Sequence, residues 1–302
     1  MREIHILGIK VNMDMRMEGV LKEVQKLLND GKCHYISTTN PEFVTTALKD
    51  GLFKAILNKS DLSLPDGSGL LYADYYLRES KKVGASILRP LILFARGTYF
   101  GFSSLVKKYP LSPKVTGVDL MNSLCSFAQE NDKTVFLLGG WPKDKWGRKL
   151  NTTMDLAKTT AKELTKLYPR LRIVGATSAY RSNDVDDQST LEFIHQCMKE
   201  SHVDSIDFLF VAYGHPRQEK YIVRNMCNIP AKLSIGVGGT FDYICKTQNR
   251  SPKLFIDVNL EWLYKLLTKP WRMKRIFSAY PIFPLRVYLD SLKEPKIDLF
   301  HF

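Results

Sequence analysis

Apolar residues recur along this chain in two alternating rhythms. Short continuous runs at Val135–Leu138, Phe208–Ala212 and Leu233–Val237 read as strands buried on both faces. Runs of the same kind fall at Ile4–Ile9, His34–Ser37, Phe53–Leu57, Leu62–Leu64 and Leu171–Gly175. Between them the spacing becomes helical. Val20, Val24, Leu27 and Leu28 predict a helix over Met17–Leu28, closed by Asn29-Asp30-Gly31. Pro41 in a tolerated first-turn position opens a helix over Glu42–Lys49. Further helices are predicted at Ser68–Arg78, Trp146–Leu167, Leu191–Ser201 and Glu219–Met226. Strand-then-helix alternation of this kind predicts an α/β fold: a mostly parallel, Rossmann-like sheet with helices on both faces.

Two stretches break the rhythm. Residues 80–113 place Leu91, Ile92, Leu93, Phe94, Tyr99, Phe100 and Phe102 among basic residues, and residues 78–114 hold eight Lys/Arg and one Glu. That mixture suits contact with a membrane interface, or a loop packed on the body or against another subunit. After Arg250, Leu260, Leu263, Leu267 and Trp271 fall on one helical stripe beside Arg272, Lys274 and Arg275. The expected division is therefore an α/β domain over 1–250, carrying an inserted segment at about 80–113, and a helical, basic C-terminal appendage over 251–302. The appendage is either an ordinary amphipathic helix or one that docks on anionic lipid.

Charge sharpens this. The 302 residues carry a formal charge of +13, which suits a polyanionic partner such as nucleotide phosphates or an anionic membrane. The five cysteines form no CxxC and no Cys/His metal spacing, so no metal site is expected and a reducing cytosol fits them. No secretory leader is visible at Met1, and no run of about 18 apolar residues spans a membrane.

Chemistry is expected where strands run into small or restricted residues, since ligands of open α/β sheets sit at the strand carboxyl ends. Thr38 and Asn40 follow one strand; they can hydrogen-bond sugar hydroxyls, or cap the next helix. Asp66 lies in a Pro-Asp-Gly turn that projects its carboxylate, or simply forms an Asx turn. Gln218 and Glu219 follow Gly214 and Pro216 at a helix start; Glu219 also complements the helix dipole there. Gly139-Gly140 and Gly236–Gly239, which includes Gly238 and Gly239, are candidate phosphate loops. Asp242 can bind ribose or uracil or cap the next segment, and Asp119 can shape the pocket or cap Leu120–Gln129. No GxGxxG and no GxxxxGK[ST] is present, so neither a dinucleotide cofactor nor a P-loop is supported, and no cofactor is expected.

Eight blocks in one order carry a resemblance: Thr38–Val44, Leu64–Gly69, Thr116–Leu120, Val135–Gly140, Gly214–Ile222, Gly236–Asp242, Asn259–Leu263 and Pro270–Arg275. Together they resemble the WecG/TagA/CpsF glycosyltransferases over nearly the whole chain. The resemblance implies an inverting, metal-independent hexosyltransferase that moves an N-acetylmannosamine-type sugar from a UDP-sugar to a polyprenyl-diphosphate-linked acceptor in cell-envelope polysaccharide synthesis. It implies Asp66 as general base, with Thr38 and Gln218 beside it in catalysis. It implies substrate contacts from Asn40, Asp119, Gly139, Gly140, Gly214, Glu219, Gly238, Gly239 and Asp242. Arg272 and Arg275 match family arginines, while Lys265 stands where relatives have Arg and gives up the bidentate fork. The implied setting is cytoplasmic and peripheral, on the inner face of the cell membrane, with anionic lipid and a possible homo-oligomer as partners and no nucleic acid. The alternative is a non-catalytic peripheral protein that binds sugar nucleotides or polyanions.

Overall fold

A computed structural model describes residues 1–104, 109–142, 148–150, 152–248, 252, 255, 261–268, 273 and 277–293. In chain order the elements are β1 (Arg2–Ile6), β2 (Ile9–Met13), α1 (Met17–Asn29), β3 (His34–Thr39), α2 (Pro41–Ala47), α3 (Gly51–Lys59), β4 (Leu62–Pro65), α4 (Ser68–Ser80), α5 (Arg89–Ser103) and α6 (Gly117–Glu130). There follow β5 (Thr134–Gly139), α7 (Leu156–Leu167), β6 (Arg172–Thr177), α8 (Asp184–Glu200), β7 (Ile206–Ala212), α9 (Arg217–Asn225), β8 (Ala231–Gly236) and α10 (Thr240–Ile244). Last come α11 (Glu261–Thr268), a π-helical turn (Ser278–Ile282) and α12 (Phe283–Ser291).

Six strands form one parallel sheet in the order β4-β3-β8-β7-β5-β6. Every residue of β3, β5 and β7 is buried, which is why Val135–Leu138 of β5 and Phe208–Ala212 of β7 read as apolar runs rather than alternating ones. Alternation survives in where the side chains go. Phe208 and Phe210 enter a core with Val20, Val24, Leu120, Leu124 and Leu164 of α1, α6 and α7. Leu209 and Val211 enter another with Ile56, Ile194, Met198 and Ile222 of α3, α8 and α9. Helices thus cover both faces, as the sequence predicts. A third cluster joins Ile6, Ile9, Val11 and Met13 of the β1–β2 pair to α2, α3, α4 and to Phe283 and Val287 of α12. Among the described residues no helix is long and apolar enough to cross a membrane.

Three local expectations are corrected. Ile4–Ile9 is an antiparallel hairpin that pairs Ile6 with Ile9; Leu7 (φ 54) and Gly8 (φ 78) supply the two positive-φ residues of its turn. Phe53–Leu57 is helical: Phe53, Ile56 and Leu57 are buried at i, i+3 and i+4, and Asp50 caps α3 by accepting from the Phe53 N–H at 3.0 Å. The predicted Trp146–Leu167 helix begins only at Leu156, where Asp155 accepts from the Lys158 N–H at 3.0 Å; residues 143–147 and 151 lie outside the described residues. The Asp184–Asp187 run forms the first turn of α8, capped by Asn183, where Asp186 and Asp187 complement the helix dipole. Asp187 is buried there and accepts from Arg224 Nε (2.6 Å) and Asn225 Nδ2 (2.9 Å).

Candidate active site

Because the sheet is parallel, the turns after β3, β4, β5, β7 and β8 all leave from one edge. Thr38 and Thr39 end β3. Thr38 is buried and its hydroxyl donates to the Gly236 carbonyl of β8 at 3.3 Å. Asn40 caps α2, its side-chain oxygen accepting from the Glu42 and Phe43 N–H groups at 3.0 and 3.1 Å. The cap uses the amide oxygen, so the NH2 is the group Asn40 can offer a ligand.

Asp66 follows β4. Its N–H donates to the Thr39 carbonyl at 2.7 Å, which holds the turn against the end of β3. Gly67 has φ +94, a conformation glycine adopts without a Cβ penalty. At Gly69 a Cβ would stand 2.5 Å from Pro41 Cγ, so the start of α4 lies against the start of α2. The Asp66 carboxyl is half-buried. The chain returns to this spot at Val115, whose N–H donates to the Pro65 carbonyl at 3.4 Å. Thr116 then caps α6, and its hydroxyl donates to Asp119 Oδ2 at 2.6 Å while accepting from the Asp119 N–H at 3.2 Å. Thr116, not Asp119, is therefore the capping residue. A Cβ on Gly117 would lie 3.7 Å from both the Thr38 and Thr240 hydroxyls.

Gln218 ties the last two turns together. Its Oε1 accepts from the Gly214 and Gly238 N–H groups, each at 3.0 Å, and its Nε2 donates to Glu219 Oε1 at 2.7 Å. Both side chains are buried. Gly236 lies directly over them: a Cβ there would stand 2.5 Å from Gln218 Nε2 and 2.8 Å from Glu219 Oε1. Burial pushes the Glu219 carboxyl up to about 7, and its Oε2 has no hydrogen-bond partner. Glu219 thus faces Gln218 and fixes which way that amide points. Asp242 is buried and accepts from the Thr247 hydroxyl at 3.2 Å. A Cβ on Gly239 would lie 3.6 Å from Asp242 Oδ2.

Gly139 and Gly140 are buried, with φ +86 and +83. Added Cβ atoms would meet the Tyr213 ring at 2.7 Å and the Phe241 ring at 3.0 Å, so aromatic packing alone demands glycine at both positions. Lys265 lies on α11, its side chain outside the described residues, and Arg272 and Arg275 lie outside them altogether.

A cavity of ≈ 370 Å³ opens beyond β5, β6 and β7, lined by Trp141, Lys149, Arg181, Ser182, Asn183, Tyr213 and Arg217. Trp141 stacks on Tyr213 at 5.6 Å and 19°, and Lys149 Nζ stands 5.0 Å over the indole. The lining has three cations and no carboxylate, a character suited to an aromatic base carrying phosphates. None of these residues stood out in the sequence, although Trp141 follows Gly139-Gly140 and the polar turn Ser178–Asn183 follows β6. His215 was also unforeseen; its ring stacks on Phe43 at 4.8 Å and its Nε2 lies 3.3 Å from Glu42 Oε1, joining the β7 turn to α2.

The family described as the glycosyl transferase WecG/TagA/CpsF family matches residues 4–95 and 75–297, and the overlap between the two stretches reaches into α5. Among curated proteins, the N-acetylglucosaminyldiphosphoundecaprenol N-acetyl-beta-D-mannosaminyltransferase of Bacillus subtilis (strain 168) is 29% identical over 261 residues, 86% of this chain and 80% of its own length. The protein of that name from Bacillus spizizenii is 28% identical over 83% of this chain and 77% of its own. The one from Staphylococcus aureus (strain MRSA252) is 23% identical over 87% and 82%.

Proposed function

This chain belongs to the WecG/TagA/CpsF glycosyltransferase family, and from that premise we propose that it transfers an N-acetylmannosamine-type sugar from a UDP-sugar to a polyprenyl-diphosphate-linked acceptor, inverting the anomeric centre. The observation that carries the reading is the meeting of Thr38, Asp66 and the Gln218-bound turns at one sheet edge, with an aromatic, cationic cavity further along that edge at the ends of β5, β6 and β7. Asp66 accepts the proton of the acceptor hydroxyl as that oxygen bonds to the anomeric carbon. The bond from that carbon to the UDP oxygen breaks, and UDP leaves with the electron pair. Trp141 and Tyr213 offer a surface for the base. Lys149, Arg181 and Arg217 meet the diphosphate charge, with Lys265, Arg272 and Arg275 of the appendage as further cations.

The one Asp-x-Asp of the sequence, Asp184-Val185-Asp186, is helical at the start of α8, with Asp186 Oδ2 accepting from the Arg181 N–H at 2.9 Å, which supports transfer without a metal on the diphosphate. A lipid-linked acceptor places the enzyme at the inner face of the cell membrane, with 251–302 as the docking appendage. The test is UDP release from a panel of UDP-sugars in EDTA, with and without a short-chain polyprenyl-diphosphate-GlcNAc. Acceptor-dependent release from one donor supports the reading. No release from any donor by folded protein, together with no donor binding by calorimetry, overturns it.

A further inference from the structure

The outward side of α5 is the least expected surface of the molecule. Leu88, Leu91, Ala95, Tyr99 and Phe102 recur at steps of three and four, so they form one stripe along the helix. All five are exposed, Leu91 by 64% and Phe102 by 73%. Ile92 and Phe94 widen the stripe, and Ile87 just before the helix is 95% exposed. The opposite side is already used: Leu93 is fully buried, Phe100 stacks on Tyr75 at 4.9 Å, and Gly97 lies against the Tyr76 ring. The helix is held from behind; in front, Phe94 packs edge-on to Tyr288 of α12 at 5.7 Å, while Leu88, Leu91, Ala95, Tyr99 and Phe102 stay exposed.

Three features choose the occupant. First, length: fifteen residues span about 22 Å at 1.5 Å each, short of the ~20 residues that cross a bilayer, so α5 lies along a surface rather than through one. Second, charge: the described, exposed charges bordering the patch include Lys81, Lys82, Arg96, Lys114 and Arg286, and the single acid of residues 78–114, Glu79, pairs with Lys82 at 2.6 Å. A cationic rim around an apolar centre complements anionic headgroups over acyl chains. Third, place: Tyr72, one turn into α4, packs edge-on to Phe100 at 5.4 Å, and the segment closes on Pro65 through Val115. The apolar front therefore issues from the same strand end as Asp66.

We propose that α5 is a membrane seat: its Leu88–Phe102 stripe lies in the interface of an anionic bilayer and presents the Asp66 side of the sheet edge to a lipid-linked acceptor. This seat lies apart in sequence from the basic stripe of residues 260–275, and the choice of a membrane as occupant rests on the acceptor class proposed above.

Flotation of the full chain with vesicles of phosphatidylglycerol and phosphatidylcholine, against phosphatidylcholine alone, tests it. The parent should float with the anionic vesicles. Leu88→Glu/Leu91→Glu/Phe102→Glu, all on the exposed face, should keep the parent's circular dichroism and melting curve. It should need about tenfold or more lipid for half recovery. Leu91→Trp/Phe102→Trp should float like the parent and guards against a mere folding defect. On a short-chain, water-soluble acceptor the triple variant should turn over at the parental rate, so a failure of the transferase reading would show there and not in flotation. Equal flotation of parent and triple variant would overturn the seat and assign binding to another surface. A parent that stays off anionic vesicles and sediments as a dimer, with a monomeric triple variant, would overturn it in favour of self-association.

Discussion

His34 at the start of β3 and Gln218 beyond the end of β7 are both buried polar side chains of one sheet, yet they are held in different ways. At the amino end His34, Asp61 and Asp207 are all answered. His34 Nδ1 meets Asp61 and its Nε2 meets Asp30, each at 2.8 Å, and the second Asp61 oxygen accepts from the Tyr35 N–H. Asp207 at the start of β7 likewise takes Lys232, the Thr134 N–H and the Thr134 hydroxyl. Burial lowers the His34 pKa, but its two carboxylate partners outweigh this and raise it overall. Burial raises the Asp207 pKa, but Lys232 and Thr134 outweigh this and lower it. At the carboxyl end a buried Glu219 is left with one unpartnered oxygen, and glycines take conformations or contacts closed to other residues. One end is satisfied locally; the other keeps uncompensated polarity beside glycine turns, where a ligand would bind.

Substitutions can break this contrast. The largest effect is expected from Asp66→Asn: transfer should fall about 10²–10⁴-fold, with an unchanged melting curve, in the UDP-release assay. A variant retaining more than about a tenth of the rate would remove Asp66 as base. Gly236→Ala should come next, because its Cβ displaces the Gln218 amide from the Gly214 and Gly238 N–H groups; turnover should drop about 10²-fold with a smaller loss of stability. At the opposite end Asp61→Ala should do the reverse. It strands the His34 ring and the Tyr35 N–H, so urea unfolding should show a loss of about 1–3 kcal/mol while turnover per folded molecule is kept.

The smallest effect is a slope. Glu219 holds its proton in the folded state up to about 7, whereas an ordinary carboxyl loses it near 4.5. The folded state therefore binds more protons in that window, and the Glu219 contribution to stability should decline as pH rises from 4.5 to about 7 and level off above it. Glu219→Gln should flatten that part of the curve in denaturant melts at fixed pH. His34, with its raised pKa, favours the fold below its ordinary value of 6.5 and loses that contribution as pH rises through the folded pKa. Comparing Glu219→Gln with Asp61→Ala separates the two.

The sequence made most of this legible where one physical signal acted alone. The all-buried strands β5 and β7, and β8 from Leu233 onward, stood out as apolar runs, and the glycine turns after them stood out because few residues adopt those conformations. Phe53–Leu57 misled because five residues cannot distinguish a period of 2 from one of 3.6, and the deciding residue, Asp50, lies outside the run. The Ile4–Ile9 hairpin hid its turn in Leu7-Gly8, with no Asn or Asp to announce it. The partners of Gln218 come from two turns some twenty residues apart, and the cationic cavity draws on three loops, so neither has a local pattern. Asn40 was read in two ways, and its oxygen does cap α2.

The hydrogen bond from the Val115 N–H to the Pro65 carbonyl also bears on how such an enzyme diversifies. Helix α4 is fixed in the core by Leu70, Leu71 and Ala73, but the stretch from its end to Lys114 closes a loop back onto Pro65, and lengthening a closed loop costs little free energy. The excursion therefore behaves as an exchangeable cassette. It can gain or shed a helix between lineages while the register of β4 and the strand that follows stays put, so the surroundings of the reaction centre can be retailored without rebuilding the centre itself.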